Sequence, residues 1–387
     1  MKFVVTGGGT AGHVNPALAV AQEMRLLGHE VLYAGTPNGL EANLIPQEGF
    51  SYTGFKASGF NRRKPLSLLS SSAKIAMSTF KASAWLKAVK PDAVVGFGGF
   101  VSIPICLAAS WRKIPLVIHE QNSAIGMANR FLAKRAQLIA FTYASAADSL
   151  TLTDPAASNH ATSGPAESGH AASKKVIVTG NPVRASLFEV DRIKARESFG
   201  LAPDAIVLLV FGGSLGALHL NQALVSHAEE LLSHTEIQVL HITGTRDYEM
   251  IRTMVADIPQ TEGRWFLIEY CERMGEAYAA ADAVLSRAGA TTLAEIGALG
   301  KPALLIPFPH AAADEQTSNA KSLVDGHAAD MLADSELDEP VFFEKLLRLV
   351  SDEAYRKSMQ EALRSLGNAR ARQELTRNII ELVSGEC

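Results

Sequence analysis

The segment VVTGGGTAGHVNPALA, residues 4–19, joins a β-branched run to a helix-like stretch through three glycines. A strand, a glycine turn and a helix in this order are typical of an α/β domain that brings backbone N–H groups close to a phosphate or a sugar. Gly7, Gly9 and Gly12 also satisfy the G-x-G-x-x-G pattern of dinucleotide-binding domains. The first question is therefore which ligand binds this turn.

Two common ligands of such turns fit the sequence poorly. A dinucleotide-binding domain carries an acidic residue about 20 residues further on, at the end of its second strand. Here that strand ends VLYAG, and the nearest acid, Glu41, lies beyond another turn. The Walker pattern G-x-x-x-x-G-K-[S/T] does not occur in the chain. These observations count against NAD and against a P-loop nucleotide site.

The composition excludes several classes of protein. The 387 residues are 47% hydrophobic and 20% charged, as in an ordinary globular protein of two or three domains. A net charge of -4 gives no overall positive field, so we expect no nucleic-acid partner. Cys106, Cys271 and Cys387 lie far apart and match no metal or redox spacing. Since no signal peptide or long apolar run occurs, we expect a cytoplasmic protein that does not span the membrane.

Short apolar runs alternate with helix-like stretches along most of the chain. The runs before residue 200 are KFVVTG, EVLYAG, DAVVGFGG, PLVIHEQ, LIAFTY and VIVTGNP, and those after it are IVLLVFGGS, QVLHITG, RWFLIEY, DAVLSRAG and KPALLIPFP. Strands that are buried on both faces of a parallel sheet have such continuous apolar sequences. The sequence thus predicts an α/β protein of two tandem Rossmann-like, doubly wound parallel-sheet domains, with a ligand cleft between them.

The boundary between these domains is expected near residues 179–184, TGNPVR, where Pro182 prevents the continuation of a central strand. The last part of the helical, charged C-terminal segment is expected to pack back onto the first domain. We therefore assign residues 1–180 plus 366–387 to an N-terminal domain, and residues 181–365 to a C-terminal domain.

One internal segment has a different composition. Residues 153–173 contain no apolar residue larger than Ala and are rich in Ser, Pro, Gly and His. Such a segment cannot bury enough surface to offset the entropy of ordering, so it is expected to form a mobile surface loop. We interpret His160 and His170 in this segment as solvated side chains rather than metal ligands.

Four glycine turns follow predicted strands. They are the first glycine turn, GGGTAGH (7–13), the second, GFGGF (96–100), the third, GGSLGA (212–217), and the fourth, RAGATT (287–292). For a single turn, tight packing between strand and helix explains the glycines equally well. Four such turns in two domains indicate a ligand instead.

Six segments together resemble the MurG family of transferases. They are GGGTAGHVNPALAVA, GFGGFVSIP, HEQNSAIGMANR, TGNPVR, FGGSLGALHLN and SRAGATTLAEIGALGKPALLIPFPHAAADEQTSNA, in the order found in that family. The resemblance covers nearly the whole chain. It implies an inverting hexosyltransferase of the GT-B fold and of glycosyltransferase family 28.

The resemblance also implies substrates, a location and partners. GlcNAc would pass from UDP-GlcNAc to the muramoyl 4-hydroxyl of lipid I, the undecaprenyl-diphosphate-linked MurNAc-pentapeptide, to give lipid II in peptidoglycan synthesis. The N-terminal domain would bind the acceptor and the cytoplasmic face of the cell membrane, and the C-terminal domain would bind UDP-GlcNAc. Proteins of cell-wall synthesis and cell division would be partners. The alternatives are another GT-B transferase or epimerase that uses a UDP-sugar, or a non-catalytic nucleotide-binding scaffold on the membrane.

In the N-terminal domain, the resemblance implies that His13 is the catalytic base or orients the acceptor hydroxyl. An imidazole titrates in a suitable range for this task. Thr10, Ala11 and Gly12 would line the same pocket, and Asn122 would hydrogen-bond a sugar. The alternatives are a capping or packing role for His13 and an Asx turn at Asn122.

The pyrophosphate of UDP is assigned to two residues. Arg184 would bind it bidentately, and Ser214 in the third glycine turn would offer a hydroxyl at a helix start. Because no Asp-x-Asp pair occurs in the chain, we predict that the chemical step needs no metal and no other cofactor.

The rest of UDP-GlcNAc is assigned to the C-terminal domain. Glu295 would accept the ribose hydroxyls, although TLAE from Thr292 also matches a capping box. Cys271 would contact uracil through its backbone, and Glu315 and Gln316 would bind the GlcNAc hydroxyls. The wall of this site would consist of Ala290, Thr291, Thr292, Leu293 and Ala294.

Residues 61–90 contain basic and apolar side chains and no acid. The basic residues are Arg62, Arg63, Lys64, Lys74, Lys81 and Lys87, and the apolar ones are Leu68, Leu69, Ile75, Phe80 and Trp85. Such a composition suits peripheral binding to anionic lipid. A helix whose apolar face packs on the core is the alternative.

Overall fold

A computed structural model describes residues 1–57, 66–153, 175–213, 216–311 and 314–385. The chain forms two compact units, Met1–Arg184 with Arg370–Cys387, and Ala185–Ala369. Each unit contains a parallel sheet with helices, which confirms the predicted α/β class with two parallel-sheet domains. Apart from its first residue, the predicted loop 153–173 lies outside the described residues.

Seven described strands form the sheet of the N-terminal unit. They are β1 (Lys2–Thr6), β2 (Glu30–Gly35), β3 (Ser51–Gly54), β4 (Ala93–Gly96), β5 (Leu116–Glu120), β6 (Leu138–Phe141) and β7 (Lys175–Val178). Their spatial order is β3-β2-β1-β4-β5-β6-β7, and every pairing is parallel. The order reverses between β1 and β4, where the connections diverge and parallel sheets bind ligands.

Helices cover both faces of this sheet. They are α1 (Ala11–Leu26), α2 (Leu40–Gln47), α3 (Leu66–Val89), α4 (Gly99–Trp111), α5 (Met127–Ala133) and α6 (Ala144–Thr153). Successive residues of β1 point to opposite faces, so Phe3 and Val5 pack in one apolar cluster and Val4 packs in another. This double burial explains why the strand sequences are continuously apolar.

The N-terminal unit also contains the last helix of the chain, α16 (Ala371–Ser384). Leu375 and Ile379 are fully buried in the cluster that contains Phe3 and α1 residues such as Leu18. An ion pair of 2.7 Å between Arg372 Nε and Glu23 Oε2 joins the same two helices. The chain thus returns to its first unit after completing the second.

Six described strands form the sheet of the C-terminal unit. They are β8 (Ile206–Phe211), β9 (Ile237–Ile242), β10 (Trp265–Ile268), β11 (Ala283–Ser286), β12 (Ala303–Leu305) and β13 (Asp330–Met331). The order is β10-β9-β8-β11-β12-β13, again with parallel pairings throughout. It reverses between β8 and β11, as between β1 and β4 in the first sheet.

The helices of this unit occupy the intervals between its strands and the segment after them. They are α7 (Arg192–Phe199), α8 (Leu218–Ser226), α9 (Ala228–Leu231), α10 (Tyr248–Ala256), α11 (Met274–Ala280), α12 (Ala290–Leu299), α13 (Glu315–Val324), α14 (Pro340–Ser351) and α15 (Glu353–Leu366). A large core cluster joins β8, β9 and β11 to α8 and α14. None of the helices in the described part of either unit is long and apolar enough to cross a membrane.

Three details differ from the sequence-based expectations. The short strands β3 and β13 each lie at an edge of a sheet and carry no apolar run that would predict them. The strand before Pro182 is β7, which ends at Val178 and is an edge strand rather than a central one. The units divide after Arg184 and after Ala369, whereas the sequence placed the divisions after residues 180 and 365.

Candidate functional site

The first glycine turn lies at the carboxyl end of β1 and leads directly into α1. Thr10 precedes the helix as its N-cap residue, and His13 is the third helical residue. The Oγ1 atom of Thr10 lies 3.0 Å from Nδ1 of His13, so this contact orients the imidazole. The predicted Thr10, Ala11, Gly12 and His13 are thus grouped at one helix start.

The second glycine turn passes beside the His13 ring. A Cβ atom on Gly98 would lie 3.1 Å from Cδ2 of His13, and Gly98 has φ of +86°. The same Cβ would lie 3.3 Å from Nδ2 of Asn129 in α5. Only glycine suits this position, because a side chain would be strained and would press on the imidazole. Asn129 is a residue of this site that the sequence reasoning missed.

Burial lowers the pKa of the His13 imidazole below its ordinary value, while a hydrogen bond to the Gly8 backbone and the negative charge of Glu41 act in the opposite direction. The lowered pKa favours the neutral imidazole at neutral pH. A neutral ring can accept a proton, which is what a general base must do.

The HEQN motif forms a hydrogen-bonded loop at the end of β5. The buried carboxylate of Glu120 accepts from the backbone N–H of Asn122 at 3.1 Å and of Gly126 at 2.9 Å. It also accepts from Nδ2 of Asn129 at 2.9 Å, and burial raises its pKa. Glu120 thus fixes the backbone at Asn122 and connects it, through Asn129, to the surroundings of His13.

Glu41 lies beyond the turn that follows β2, as the sequence indicates, and its side chain contacts the first glycine turn. It is fully buried in α2, and its carboxylate accepts from the N–H of Gly9 at 3.2 Å. It also accepts from the N–H of Thr36 at 3.0 Å and from the Thr36 hydroxyl at 2.7 Å. The acid that follows the second strand therefore returns to the first glycine turn. Its oxygens are enclosed by the protein, so they are not available to the ribose of a dinucleotide.

Arg184 is the last residue of the N-terminal unit and is half-buried. Its buried Nε atom has no hydrogen-bond partner among the described residues. An unsatisfied guanidinium nitrogen is costly unless a ligand or water completes it. This is consistent with an anion site at Arg184.

In the C-terminal unit, Glu295 lies in α12 and is buried. The hydroxyl of Tyr278, in α11, donates to its Oε2 atom at 2.9 Å. The helix begins at Ala290 with Gly289 as N-cap, so Thr292 and Glu295 lie inside the helix and the capping-box alternative is wrong. Tyr278 is a second residue that sequence reasoning missed, since its apolar surroundings resemble ordinary core sequence.

The other predicted residues of α12 share its first two turns. Ala290 and Leu293 are buried, whereas Thr291, Thr292 and Ala294 are half-buried. The fourth glycine turn thus leads into a helix start that carries short side chains, with Glu295 one turn further on.

Gln316 holds two loops of the C-terminal unit together. Its Oε1 atom accepts from the N–H of Ala288 at 3.1 Å and from that of Phe308 at 2.9 Å. Its Oε1 is thus committed to the protein, and its Nε2 is the group that suits a sugar hydroxyl. Glu315, the first residue of α13, directly precedes it.

Of the two remaining predicted residues, Cys271 and Ser214, the structure describes Cys271. Cys271 lies between β10 and α11 with its side chain buried, and burial raises the pKa of its thiol. A buried side chain leaves the backbone as the part of Cys271 that suits a ligand. Ser214 lies outside the described residues, between Gly213 and Gly216, whose φ angles are +106° and +89°.

Arg287 of the fourth glycine turn belongs to a charge network that sequence reasoning also missed. Its Nη1 atom lies 2.6 Å from Asp334 and donates to the carbonyl of Pro307 at 3.2 Å. Nδ1 of His219 lies 2.8 Å from the other oxygen of Asp334, and this hydrogen bond raises the pKa of His219. The network holds the fourth turn against the start of α8. No motif in the sequence connects Arg287 with Asp334.

Comparisons with known proteins cover both units. The model of the glycosyltransferase family 28 N-terminal domain matches residues 3–141, and that of the C-terminal domain matches residues 207–375. A relative from Halothermothrix orenii is 38% identical over 98% of each chain, and one from Moorella thermoacetica is 35% identical over 99% of each. Both are named UDP-N-acetylglucosamine--N-acetylmuramyl-(pentapeptide) pyrophosphoryl-undecaprenol N-acetylglucosamine transferase.

Solved structures give a similar result. The crystal structure of Acinetobacter baumannii MurG matches 98% of this chain and 99% of its own, with a TM-score of 0.70 and 28% identity. The UDP-GlcNAc 2-epimerase of Neisseria meningitidis matches 98% of this chain and 100% of its own, with a TM-score of 0.68 and 16% identity. The second likeness concerns the fold alone.

Proposed function

Since this chain belongs to glycosyltransferase family 28, we propose that it transfers GlcNAc from UDP-GlcNAc to the 4-hydroxyl of the muramoyl group of lipid I, which gives lipid II for peptidoglycan synthesis. The observation that carries this proposal is the match to transferases of that name along the full length of both units. This match covers both the N-terminal unit, to which we assign the acceptor, and the C-terminal unit, to which we assign UDP-GlcNAc.

In the reaction, the acceptor oxygen forms a bond to the anomeric carbon of GlcNAc, and the bond from that carbon to the pyrophosphate of UDP breaks. We assign the removal of the acceptor proton to His13. Its lowered pKa and its contact with Thr10 support this assignment, because both favour an oriented, neutral imidazole. Asn122 would bind the sugar from the loop that Glu120 fixes.

The donor is assigned to residues of both units. The unsatisfied Nε of Arg184 supports a role in binding the pyrophosphate and its developing charge. Glu295 would accept the ribose hydroxyls in the orientation that Tyr278 gives its carboxylate. Gln316 would donate from Nε2 to GlcNAc, and Ser214 would contact the phosphates. A cleft between the two domains stays a prediction.

We also propose peripheral binding to the cytoplasmic face of the cell membrane. Met77, Phe80 and Trp111 expose 60%, 68% and 54% of their surfaces, and the rings of Phe80 and Trp111 lie 5.5 Å apart. Lys74 and Lys81 are exposed and lie three residues before and four residues after Met77, which are helical spacings. An apolar patch with basic neighbours suits a membrane of anionic lipid, where the lipid-linked acceptor would be found.

The proposal is tested by measuring UDP release from UDP-GlcNAc with and without lipid I. We expect release to require lipid I in the wild type. Arg184→Ala should lower kcat/KM at least tenfold, and Glu295→Ala should raise the KM for UDP-GlcNAc about tenfold, since each removes a charged hydrogen-bonding partner. We expect the chelator EDTA to leave the rate unchanged, because Arg184 and backbone amides are assigned to the leaving group.

Arg252→Ala serves as the matched control, because this exposed cation of the C-terminal unit pairs with Glu249 in the same helix. Its kinetics should equal those of the wild type. Intact UDP-GlcNAc after prolonged incubation with lipid I would favour a non-catalytic scaffold. Wild-type kinetics in both site variants would overturn the residue assignments.

A further inference from the structure

We propose that Glu41 and Asp247 are positioning residues, one in each unit, whose buried carboxylates hold the first glycine turn and the described end of the third, Gly216 and Ala217, in the conformation that binds the substrates. This inference deepens the proposed function and rests on it for the identity of the substrates. Neither residue belongs to the substrate site assigned above. Each one acts on that site through the backbone of a glycine turn.

Glu41 is enclosed by glycines as well as by donors. A Cβ atom on Gly8 would lie 2.5 Å from its carboxyl carbon, and one on Gly39 would overlap its carboxylate oxygens. A Cβ on Gly35 would lie 2.6 Å from its Cγ atom. Gly8 belongs to the first glycine turn. Its lack of a side chain therefore allows the Glu41 carboxylate, rather than a ligand, to approach the backbone.

The hydrogen bond from Gly9 gives Glu41 its effect on the site. Gly9 has φ of +84°, and its N–H donates inward to the carboxylate. The next residue is Thr10, which occupies the N-cap position of α1 and contacts His13. A buried charged acceptor therefore fixes the backbone immediately before the two residues assigned to the acceptor. On the other side of the turn, the hydroxyl of Tyr33 donates to the carbonyl of Gly7 at 2.7 Å.

Asp247 has the corresponding contacts in the C-terminal unit. It lies at the start of α10 with 9% of its surface exposed. Its carboxylate lies against the backbone of Gly216, next to Ala217, the residue that ends the third glycine turn. Nδ2 of Asn221 donates to it at 3.0 Å, and a Cβ on Gly216 would overlap its Oδ2 atom. Asp247 thus holds the described end of the third turn, Gly216 and Ala217.

The two acids occupy equivalent places in the two sheets. Glu41 follows β2 and Asp247 follows β9, the second strand of each unit, and each lies against the glycine turn that follows the first strand, β1 or β8. A dinucleotide-binding domain uses an acid in this region to bind a ribose. Here the acid of each unit contacts the backbone of that unit's own glycine turn instead. The recurrence in two independent cores argues against a chance contact.

The test compares Glu41→Gln with Asp247→Asn in the full-length protein, with kcat and both KM values measured for UDP-GlcNAc and lipid I. Each change keeps the size of the side chain and replaces one accepting oxygen by an NH2 group, which cannot accept from an N–H. Glu41→Gln should lower kcat about tenfold and leave the KM for UDP-GlcNAc within about twofold. Asp247→Asn should raise that KM about tenfold, with a smaller effect on kcat.

Two matched controls and one binding measurement separate positioning from a loss of folded protein. Glu48→Gln and Glu249→Gln remove carboxylates close to α2 and within α10 that do not contact a glycine turn, and both should match the wild type. UDP affinity by calorimetry should be unchanged in Glu41→Gln and weakened in Asp247→Asn. If Glu41→Gln does not fold, Glu41→Asp takes its place in the test. This variant keeps the charge on a shorter side chain, and we expect a partial loss of kcat.

Several outcomes overturn the proposal. They are wild-type kinetics in both variants, equal losses of kcat and of substrate affinity in both, or losses that match the fraction of unfolded protein seen by circular dichroism. A wild-type protein that releases no UDP with lipid I would instead contradict the proposed function. The UDP affinities of the two variants would still test the positioning of the third turn in that case.

Discussion

His13 depends on one neighbour at its own helix start and on two residues that are distant from it in the sequence. Thr10 contacts its Nδ1 atom, Gly98 leaves room for its ring, and Glu41 places a negative charge nearby. Burial nevertheless has the largest effect, and it lowers the pKa of the imidazole from its usual value of 6.5. The proton affinity of this side chain is therefore a property of the folded N-terminal unit.

This lowered pKa predicts the dependence of kcat on pH. A base must be neutral before it accepts a proton, so kcat should fall only as the pH drops through the pKa of His13, below 6.5. Glu41 raises that pKa, so Glu41→Gln should move this fall to still lower pH. The measurement is the pH profile of kcat at saturating substrates, with Glu48→Gln as control. A fall centred above pH 6.5, or one that persists in His13→Gln, would contradict the assignment.

Single residues show where inference from sequence stops. Local turn chemistry placed Thr10 and His13 at a helix start, because both lie within one short segment. It could not reveal that Tyr278 orients Glu295 or that Asn129 lies beside His13, since these contacts join different elements. The sequence indicates only that Glu41 is badly placed to bind a ribose. It does not show that the Glu41 side chain contacts the first glycine turn, which precedes it in the chain.

At the scale of elements, α3 has two apolar faces. Ala82 and Leu86 are buried against α4 and the sheet, and the ring of Trp85 packs on Phe55 at 5.5 Å. Met77 and Phe80 point away from this core. The core-packing alternative thus holds for Trp85, which was expected on the lipid-binding surface, while Phe80 remains exposed. Arg62, Arg63 and Lys64 lie outside the described residues, as do the side chains of Leu68 and Leu69.

The exposed face predicts a separable contribution to membrane binding. The double variant Phe80→Ser, Trp111→Ser should bind vesicles of anionic phospholipid about tenfold or more weakly in a sedimentation assay, because it removes two apolar anchors. Its kcat with a short-chain, water-soluble acceptor should stay unchanged. Ile193→Ser removes an equally exposed apolar side chain from α7 and should bind vesicles like the wild type. Equal binding by the double variant would refute the assigned surface.

Strands divide into those that the sequence predicts and those that it does not. β1, β4 and β8 are buried on both faces, so burial requires the continuous apolar runs that reveal them. β3 and β13 pair on one side only, at the edges of their sheets. The residues of β3 and β13 are half-buried or exposed rather than buried, so burial requires no apolar run there, and SYTG and the pair Asp330–Met331 give no such signal.

At the scale of the molecule, each unit has its own sheet and core, and α16 closes the core of the first. Repetition of the strand–helix pattern after residue 200 predicted two domains. The exact points of division could not be predicted, because they depend on which side chains meet. Leu375 and Ile379 have the spacing of any amphipathic helix, and only the fold shows which core they enter.

Truncation after residue 369 should therefore damage one unit and spare the other. The shortened chain loses Leu375, Ile379 and the ion pair of Arg372, so apolar surface of α1 becomes exposed. We expect its first unit to unfold at least 10 °C below that of the full chain in calorimetry, while UDP affinity stays within about threefold. Truncation after residue 385 is the control. Equal destabilisation of both units in calorimetry would show that they do not fold independently.

The position of α16 also bears on how the protein is made. A ribosome releases most of the first unit early, but the helix that covers Phe3 and Leu18 emerges only after the whole of the second unit. At about 5–20 residues per second, this delay lasts roughly 10–40 s. During that interval the nascent first unit carries an uncovered apolar surface, which makes it a natural client for chaperones that bind chains at the ribosome exit.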